Sequence, residues 1–347
     1  MEKKSCDKCV RWLCGILFAA FAFCWLYFFQ REVLQAENRV LFSEDNGLRI
    51  WMFNHHFLVS LFLTVVALLL AIPGRLVLRF KKGLYACNYL LSAAFLGVIT
   101  GYDGESVFGQ SFTVWITSGI FLFVLFLTCK IVASVPKSEY NDRPRTLAGN
   151  LLTLSLLFAI TSYLGNTEEN VHRRLRMEQL YDKGEYQRLL DYGRYEEETD
   201  PGIDLLRAKA LLELPSNDNP AGSQIGENLF RYSISDPRAL SKALKGMDNE
   251  QAYLASCLLD GNLKAFSDTI NLDAYKTLPC YYMQALAIAA DSLAGVKFPK
   301  QYSEAQSAYD SFCEALESLE NEPRQFQANS TFINYHESYF WFYTFKK

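Results

Sequence analysis

The stretch LLTLSLLFAITSYLGNTEENVHRRLRMEQLYDKGEYQRLL, residues 151–190, contains the transition that decides the fold. Residues 151–164 carry no charged side chain, which is typical of a helix that crosses a bilayer. From Thr167 onward, charged residues are interspersed with apolar ones at helical spacing, which is typical of an amphipathic helix in water. The stretch therefore predicts a membrane region that ends near Leu164 and a soluble helical region after it.

The charge balance changes at the same place. Residues 1–164 contain 15 Lys and Arg against 10 Asp and Glu, whereas residues 165–347 contain 19 against 28. We therefore predict an all-α protein of two domains, a basic transmembrane region over 1–164 and an acidic extracytoplasmic helical-repeat domain over 165–347. The acidic domain argues against nucleic acid as a partner, because that partner requires a basic face.

Five apolar stretches in the first domain are candidates for membrane spans, since a helix needs about 20 mostly apolar residues to cross a bilayer. They lie at about 10–29, 57–72, 84–100, 112–135 and 147–164. The first resembles a signal peptide, but its apolar run is too long and no small-residue cleavage site follows it. We therefore expect it to be retained as a span, with the lipid bilayer as its partner.

The loops between these stretches predict the orientation. Twelve cations flank the N-terminus and the alternate loops, against three on the other side. Because cytoplasmic loops are enriched in Lys and Arg, we expect a multi-pass protein of a bacterial inner membrane, with a cytoplasmic N-terminus and a periplasmic C-terminal domain. The twelve are Lys3, Lys4, Lys8, Arg11, Arg75, Arg79, Lys81, Lys82, Lys130, Lys137, Arg143 and Arg145; the three are Arg31, Arg39 and Arg49.

The predicted spans contain almost no ionisable residues. Asn88 is their main polar residue, and Arg11 and Lys130 lie near span ends, where their long side chains can reach the interface. Ion-conducting and ion-coupled transporters usually place charged groups within their spans. The composition therefore disfavours conduction or coupled transport.

Helical hairpins recur in the second domain. DKGEY at 182–186 separates two apolar stripes at helical spacing, and Gly261 separates two more. A third pair is expected in 278–293 and 302–319, and no alternating strand pattern of comparable length is present. Such pairs stack side by side to bury their apolar faces, so we expect a solenoid similar to degenerate tetratricopeptide (TPR) repeats. The polar stretch 215–227 is expected to be a loop.

The second domain resembles an uncharacterised family of Bacteroidota membrane proteins, which have several N-terminal spans and a TPR-like tail. The resemblance is carried by HRRLRMEQLYDKGEYQRLLDYG (172–193), LLRAKALLEL (205–214), IGENLFRY (225–232), YLASCLLDGNLKAF (253–266) and LPCYYMQALAIAADSL (278–293). The resemblance implies a bacterial inner membrane, and it supplies no activity and no functional residues.

No catalytic or cofactor-binding signature is found in the sequence. The motifs GxSxG, GxxxxGK[ST] and HExxH are absent, as is GxGxxG after a strand, so we expect a non-catalytic protein without a cofactor. A weak candidate for a metal site is formed by His55, His56, Asp103 and Glu105, which lie in predicted outer loops. The alternative is that these are ordinary interfacial polar residues, because they lack ligand spacing.

A scaffold function is favoured by this organisation. Helical solenoids commonly hold a peptide or a partner's helix, so we expect the second domain to bind another envelope protein or peptide. Alternatives are a subunit of an envelope transport or polysaccharide-assembly machine, or an enzyme with a site at the outer membrane surface. The candidate partner-binding residues are Tyr253, Tyr281, Tyr282, Tyr309 and Trp341.

The aromatic tail YFWFYTFKK, residues 339–347, leaves three alternatives open. On one helix continuing from STFINYHES, its rings form an unusually wide apolar face. The tail packs on its neighbours, anchors at the membrane interface or forms an exposed partner site. The cysteines of this domain, Cys257, Cys280 and Cys313, lie in apolar stripes, and we expect buried free thiols rather than a disulfide.

Overall fold

The computed structural model describes residues 2–41, 51, 55–78, 85–101, 116, 119–120, 123, 127, 143–192, 200–216, 222–293 and 302–346. In these ranges the regular structure is helical, with no strand beyond one isolated antiparallel bridge between Pro215 and Ser223. The all-α class is therefore confirmed for this part of the chain. The chain divides into two compact units, Met1–Leu175 and Arg176–Lys347.

Among its described residues, the first unit has five helices of its own with defined bounds. A π-helical turn, Trp25–Phe29, continues the first helix, and a 3₁₀ turn, Ala86–Tyr89, precedes the fourth. A sixth helix, α6, contains the division between the units. The helices are α1 Glu2–Cys24, α2 Arg31–Leu41, α3 His56–Leu78, α4 Leu90–Ile99, α5 Arg143–Leu164 and α6 Glu169–Asp182.

Three of these helices are long and apolar enough to cross a membrane. They occupy Lys8–Phe29, His56–Pro73 and Leu147–Leu164, in agreement with three of the predicted spans. The predicted span 84–100 is a shorter apolar helix, Ala86–Ile99, and most of the predicted span 112–135 lies outside the described residues. The part of the chain that the structure describes thus has three helices of spanning length, which is consistent with a membrane protein.

The helices α1, α3, α4 and α5 pack into a bundle. Its core is formed by large apolar side chains such as Phe18, Leu96 and Leu157, which are fully buried. The helices α4 and α5 approach closely, because Gly97 has no side chain. A Cβ atom added there would lie 2.5 Å from the Cβ of Leu164. Small residues at helix contacts permit close packing where lipid gives no hydrophobic driving force between helices.

The second unit is a succession of short helices, most of which pack on the next helix along the chain. Its core is one continuous cluster of buried apolar residues that extends from Met177 to Phe342. The helices are α7 Tyr186–Asp191, α8 Pro201–Glu213, α9 Ile225–Asn228, α10 Pro237–Lys245, α11 Glu250–Leu259, α12 Leu263–Thr269, α13 Cys280–Ser292, α14 Ser303–Glu317, α15 Arg324–Tyr335 and α16 Tyr339–Phe345. Helix α9 packs on α8, α11 and α13.

Local sequence signals explain where several of these helices begin and end. Gly184 and Gly261 adopt positive φ angles of 71° and 61°, which suits the turns after α6 and α11 because glycine has no Cβ to clash. Asp200 accepts hydrogen bonds from two backbone N–H groups at the start of α8, and Asp236 does the same for α10. The predicted hairpin turns at DKGEY and at Gly261 are therefore confirmed. Within the predicted loop 215–227, however, α9 begins at Ile225, which is buried.

The aromatic tail forms a separate helix, so the prediction of one helix continuing from STFINYHES is wrong. Helix α15 ends at Tyr335, and Ser338 caps α16 by accepting a hydrogen bond from the N–H of Trp341 at 3.3 Å. This break turns the first four residues of α16, Tyr339–Phe342, into the core, where all are buried. Of the three alternatives, the structure shows the packed tail.

Candidate functional site

The residues considered for a metal site are partly within the described structure. His55 is exposed and stacks on Trp51 with ring centroids 5.1 Å apart, whereas His56 is buried and its Nε2 lies 3.2 Å from the carbonyl oxygen of Tyr27. Asp103 and Glu105 lie outside the described residues. Within the residues that are described, no group of three or more His, Cys, Asp or Glu could hold a metal ion.

Three of the five predicted partner-binding residues lie in the core of the second unit. The hydroxyl of Tyr282 donates to Oε1 of Gln251 at 3.0 Å, and Tyr281 packs edge-on against Phe230. The indole Nε1 of Trp341 donates to the carbonyl of Ala328 at 3.2 Å. These three side chains lie on apolar helix faces, and neighbouring helices of the second unit cover those faces. Burial therefore argues against contact with a partner through these three side chains.

The other two predicted residues lie at the surface. Tyr253 is 39% exposed on α11, and Tyr309 on α14 is half-buried against Phe340. The three cysteines of this unit are free thiols, as expected, but only Cys257 is buried; Cys280 is exposed and Cys313 is half-buried. The prediction of buried thiols is thus confirmed for Cys257 and wrong for Cys280.

An acidic and apolar surface on the hairpin of α14 and α15 was not found from the sequence. On α15, Phe326, Phe332 and Ile333 are 51, 47 and 80% exposed, and Phe326 and Ile333 are two helical turns apart, on the same side of the helix. The preceding helix and turn contain six exposed acidic residues, and residues 302–323 contain no Lys or Arg. The six are Glu304, Asp310, Glu314, Glu317, Glu320 and Glu322. We call this the α14–α15 surface.

The α14–α15 surface is presented on a fixed framework. Helices α14 and α15 pack on each other, and α16 packs on α15. The ring of Phe332 contacts Trp341 edge-on at 5.4 Å, and Arg324 donates to the carbonyl of Thr344 at 2.5 Å. The buried tail therefore supports the helix from which the apolar side chains project. Helical spacing could have predicted the exposed apolar side chains of α15 only if the sequence had also shown that the helix is interrupted at Ser338.

A polar junction in the first unit consists of Gln30, Glu32, Asn166 and His172. The carbonyl of Asn166 accepts hydrogen bonds from Nε2 of Gln30 at 2.8 Å and of His172 at 3.0 Å, so His172 carries a proton on Nε2. The other ring nitrogen of His172, Nδ1, lies 3.8 Å from the carboxylate of Glu32. These contacts connect the end of α1 and the start of α2 to the segment that follows α5.

The electrostatics of the polar junction favour a charged imidazole. Burial lowers the pKa of His172, but the Glu32 carboxylate and the Asn166 carbonyl outweigh burial and hold the pKa above its ordinary value. On α2, burial raises the pKa of Glu37 to about 8, so its carboxyl is mostly protonated at neutral pH. The pair of His172 and Glu32 was missed from the sequence because 140 positions separate the two residues, and no local pattern relates them.

Comparison of the chain with protein-family models, with curated proteins and with solved structures finds no match. The resemblance to the Bacteroidota family therefore stays a prediction from the residues that carry it.

Proposed function

We propose that this protein is a membrane-anchored, non-catalytic scaffold whose extracytoplasmic helical-repeat domain binds another protein or peptide of the cell envelope. The proposal includes the five-span topology in a bacterial inner membrane, the periplasmic location of the second unit and its TPR-like character. The observation that carries it is the α14–α15 surface, where exposed apolar side chains on α15 follow exposed carboxylates on α14 and in the turn between the two helices.

The chemistry of this surface defines the partner. Exposed aromatic and aliphatic side chains that are close together are typical of interaction sites. Carboxylates beside them favour a partner with Lys or Arg, which they attract before contact and orient on binding. A basic amphipathic helix or a basic peptide with apolar anchors fits both features. An anionic lipid surface fits poorly, because six exposed carboxylates repel it.

The proposal is tested by site-specific photo-crosslinking in native membranes. A benzophenone amino acid replaces Ile333, on the α14–α15 surface, or Leu272, a matched apolar residue that is 39% exposed elsewhere in the second unit. We expect one specific product from position 333 and none from position 272. Mass spectrometry of the crosslinked peptide is expected to identify a basic segment with apolar residues.

A charge-reversal variant serves as the second arm. Glu314→Lys together with Glu317→Lys leaves the apolar side chains in place and is expected to reduce the yield of the specific product several-fold. Recovery of the same proteins from both crosslinker positions contradicts the proposal. The same holds for an acidic crosslinked segment, or for a yield that charge reversal leaves unchanged.

A further inference from the structure

A pocket of about 260 Å³ lies at one end of the helix bundle in the first unit. Arg11, near the start of α1, and Arg75, in the last part of α3, line it together with Tyr85, Asn88 and Tyr89 from the turn before α4. The first spanning segment begins at Lys8, and the second ends at Pro73. The pocket therefore lies where these helices reach the boundary between lipid and water.

Among the described residues that line this pocket, the charged ones are Arg11 and Arg75, and none is Asp or Glu. Among the described residues, neither Arg11 nor Arg75 forms an ion pair with a carboxylate. A guanidinium group offers a planar set of N–H donors that matches two oxygens of a phosphate or a carboxylate. The pocket therefore favours an anion.

Asn88 and Tyr89 add uncharged polar side chains to the same lining. Tyr89 is held by stacking on Phe18, with ring centroids 4.5 Å apart, and its hydroxyl lies beside Gly15, where a Cβ atom would be only 3.2 Å away. Asn88 adds an amide, which donates two hydrogen bonds. This residue is the main polar group that the sequence places within a predicted span. In the pocket lining, Asn88 can form hydrogen bonds with a bound anion, which it could not do if it faced lipid.

The apolar part of the lining indicates which anion is bound. Leu68, Ala71 and Ile72 of α3 supply the apolar part of the lining, and Ile72 is largely exposed. A ligand with a phosphate at the boundary and a hydrocarbon chain beside it would satisfy both halves of the pocket. Basic pockets between membrane helices are known to bind anionic lipid headgroups.

We propose that this pocket binds a phosphate ester of net negative charge, coordinated by Arg11 and Arg75 and oriented by Asn88 and Tyr89. The two possible sources of this chemistry are the headgroup of an anionic phospholipid and a soluble phosphate compound. The site is independent of the α14–α15 surface, and it does not require the proposed scaffold function.

The proposal is tested by native mass spectrometry of the full chain released from detergent micelles. Phosphatidylglycerol and phosphatidylcholine are titrated separately. Inorganic phosphate is then added to the phosphatidylglycerol titration as a competitor. Because each substitution removes charge-assisted hydrogen bonds to the phosphate, Arg11→Gln and Arg75→Gln are each expected to weaken retention of phosphatidylglycerol at least about tenfold. Arg31→Gln removes the same charge at the start of α2, just after the first spanning segment ends at Phe29, and is expected to change retention less than about twofold.

The competitor distinguishes the two sources. If inorganic phosphate leaves the retention of phosphatidylglycerol unchanged, the ligand is a lipid headgroup. If inorganic phosphate displaces phosphatidylglycerol, the ligand is a soluble phosphate compound. Equal retention of phosphatidylglycerol and phosphatidylcholine overturns the proposal. An equal loss in all three variants also overturns it, because the effect would then depend on net charge and not on the pocket. Melting of each variant in the same detergent confirms that the bundle is intact.

Discussion

Replacing Tyr339 tests how α16 stabilises the second unit. The Tyr339 hydroxyl donates to the carbonyl of Leu258 at 3.0 Å, and that carbonyl also accepts from the N–H of Gly261 at 3.0 Å. Since the carbonyl keeps one partner, Tyr339→Phe is expected to lower the free energy of unfolding by only about 1 kcal/mol. Tyr339→Ala also removes a fully buried ring, whose centroid lies 5.2 Å from that of Phe230. The expected loss is then about 4 kcal/mol.

Hydrogen–deuterium exchange of the full chain in detergent micelles measures both losses without isolating the unit. The protected amides of α11 are expected to exchange about fivefold faster in Tyr339→Phe and several hundredfold faster in Tyr339→Ala. Ile333→Ala, on the neighbouring helix, is the control, because its side chain is 80% exposed and is expected to cost less than about 0.5 kcal/mol. If Tyr339→Ala costs no more than this control, the reasoning about the packed tail is refuted.

Two further predictions concern the first unit. Gly97→Ala is expected to destabilise the bundle by about 1–3 kcal/mol, because its new Cβ would overlap Leu164. Gly149→Ala is the control and is expected to be neutral or stabilising, since no described atom lies within 4 Å of its new Cβ. Thermal melting in nanodiscs, followed by tryptophan fluorescence, compares the two variants. Protonated His172 is stabilised by Glu32, so this stability is fully present below pH 6.5 and is lost as the pH rises through the raised pKa of the folded state. His172→Gln is expected to remove this pH dependence, and an unchanged pH profile of melting would contradict the assignment.

Local chemistry predicted the helical hairpins of the second unit well. A glycine at the required turn and a hydrophobic stripe on either side were enough to predict the helices around Gly184 and Gly261. The same reasoning failed at the tail, because the wide aromatic face was assigned to one continuous helix. Ser338 is a favourable N-cap, but a serine is also tolerated within a helix, so the sequence alone did not decide between the two.

The candidate sites depend on contacts that no local pattern specifies. Tyr281 and Tyr282 lie on an apolar stripe, and the stripe does not show whether another helix covers it. Arg11 and Arg75 were recognised as cations that orient the chain, but the packing of α1 on α3 is what brings them to one pocket. Periodicity therefore predicted the elements, whereas the sites required the tertiary structure.

The hydrogen bond from Gln30 to Asn166 joins positions 136 residues apart, and this separation has a consequence for biogenesis. When α1 enters the bilayer, the segment that contains Asn166 has not yet been synthesised. The amide of Gln30 must then stay hydrated, although it is almost fully buried in the finished protein. The bundle can close at this end only after α5 has been inserted. A chain interrupted before residue 166 would leave a polar amide at the membrane boundary, where quality-control proteases could recognise the unfinished protein.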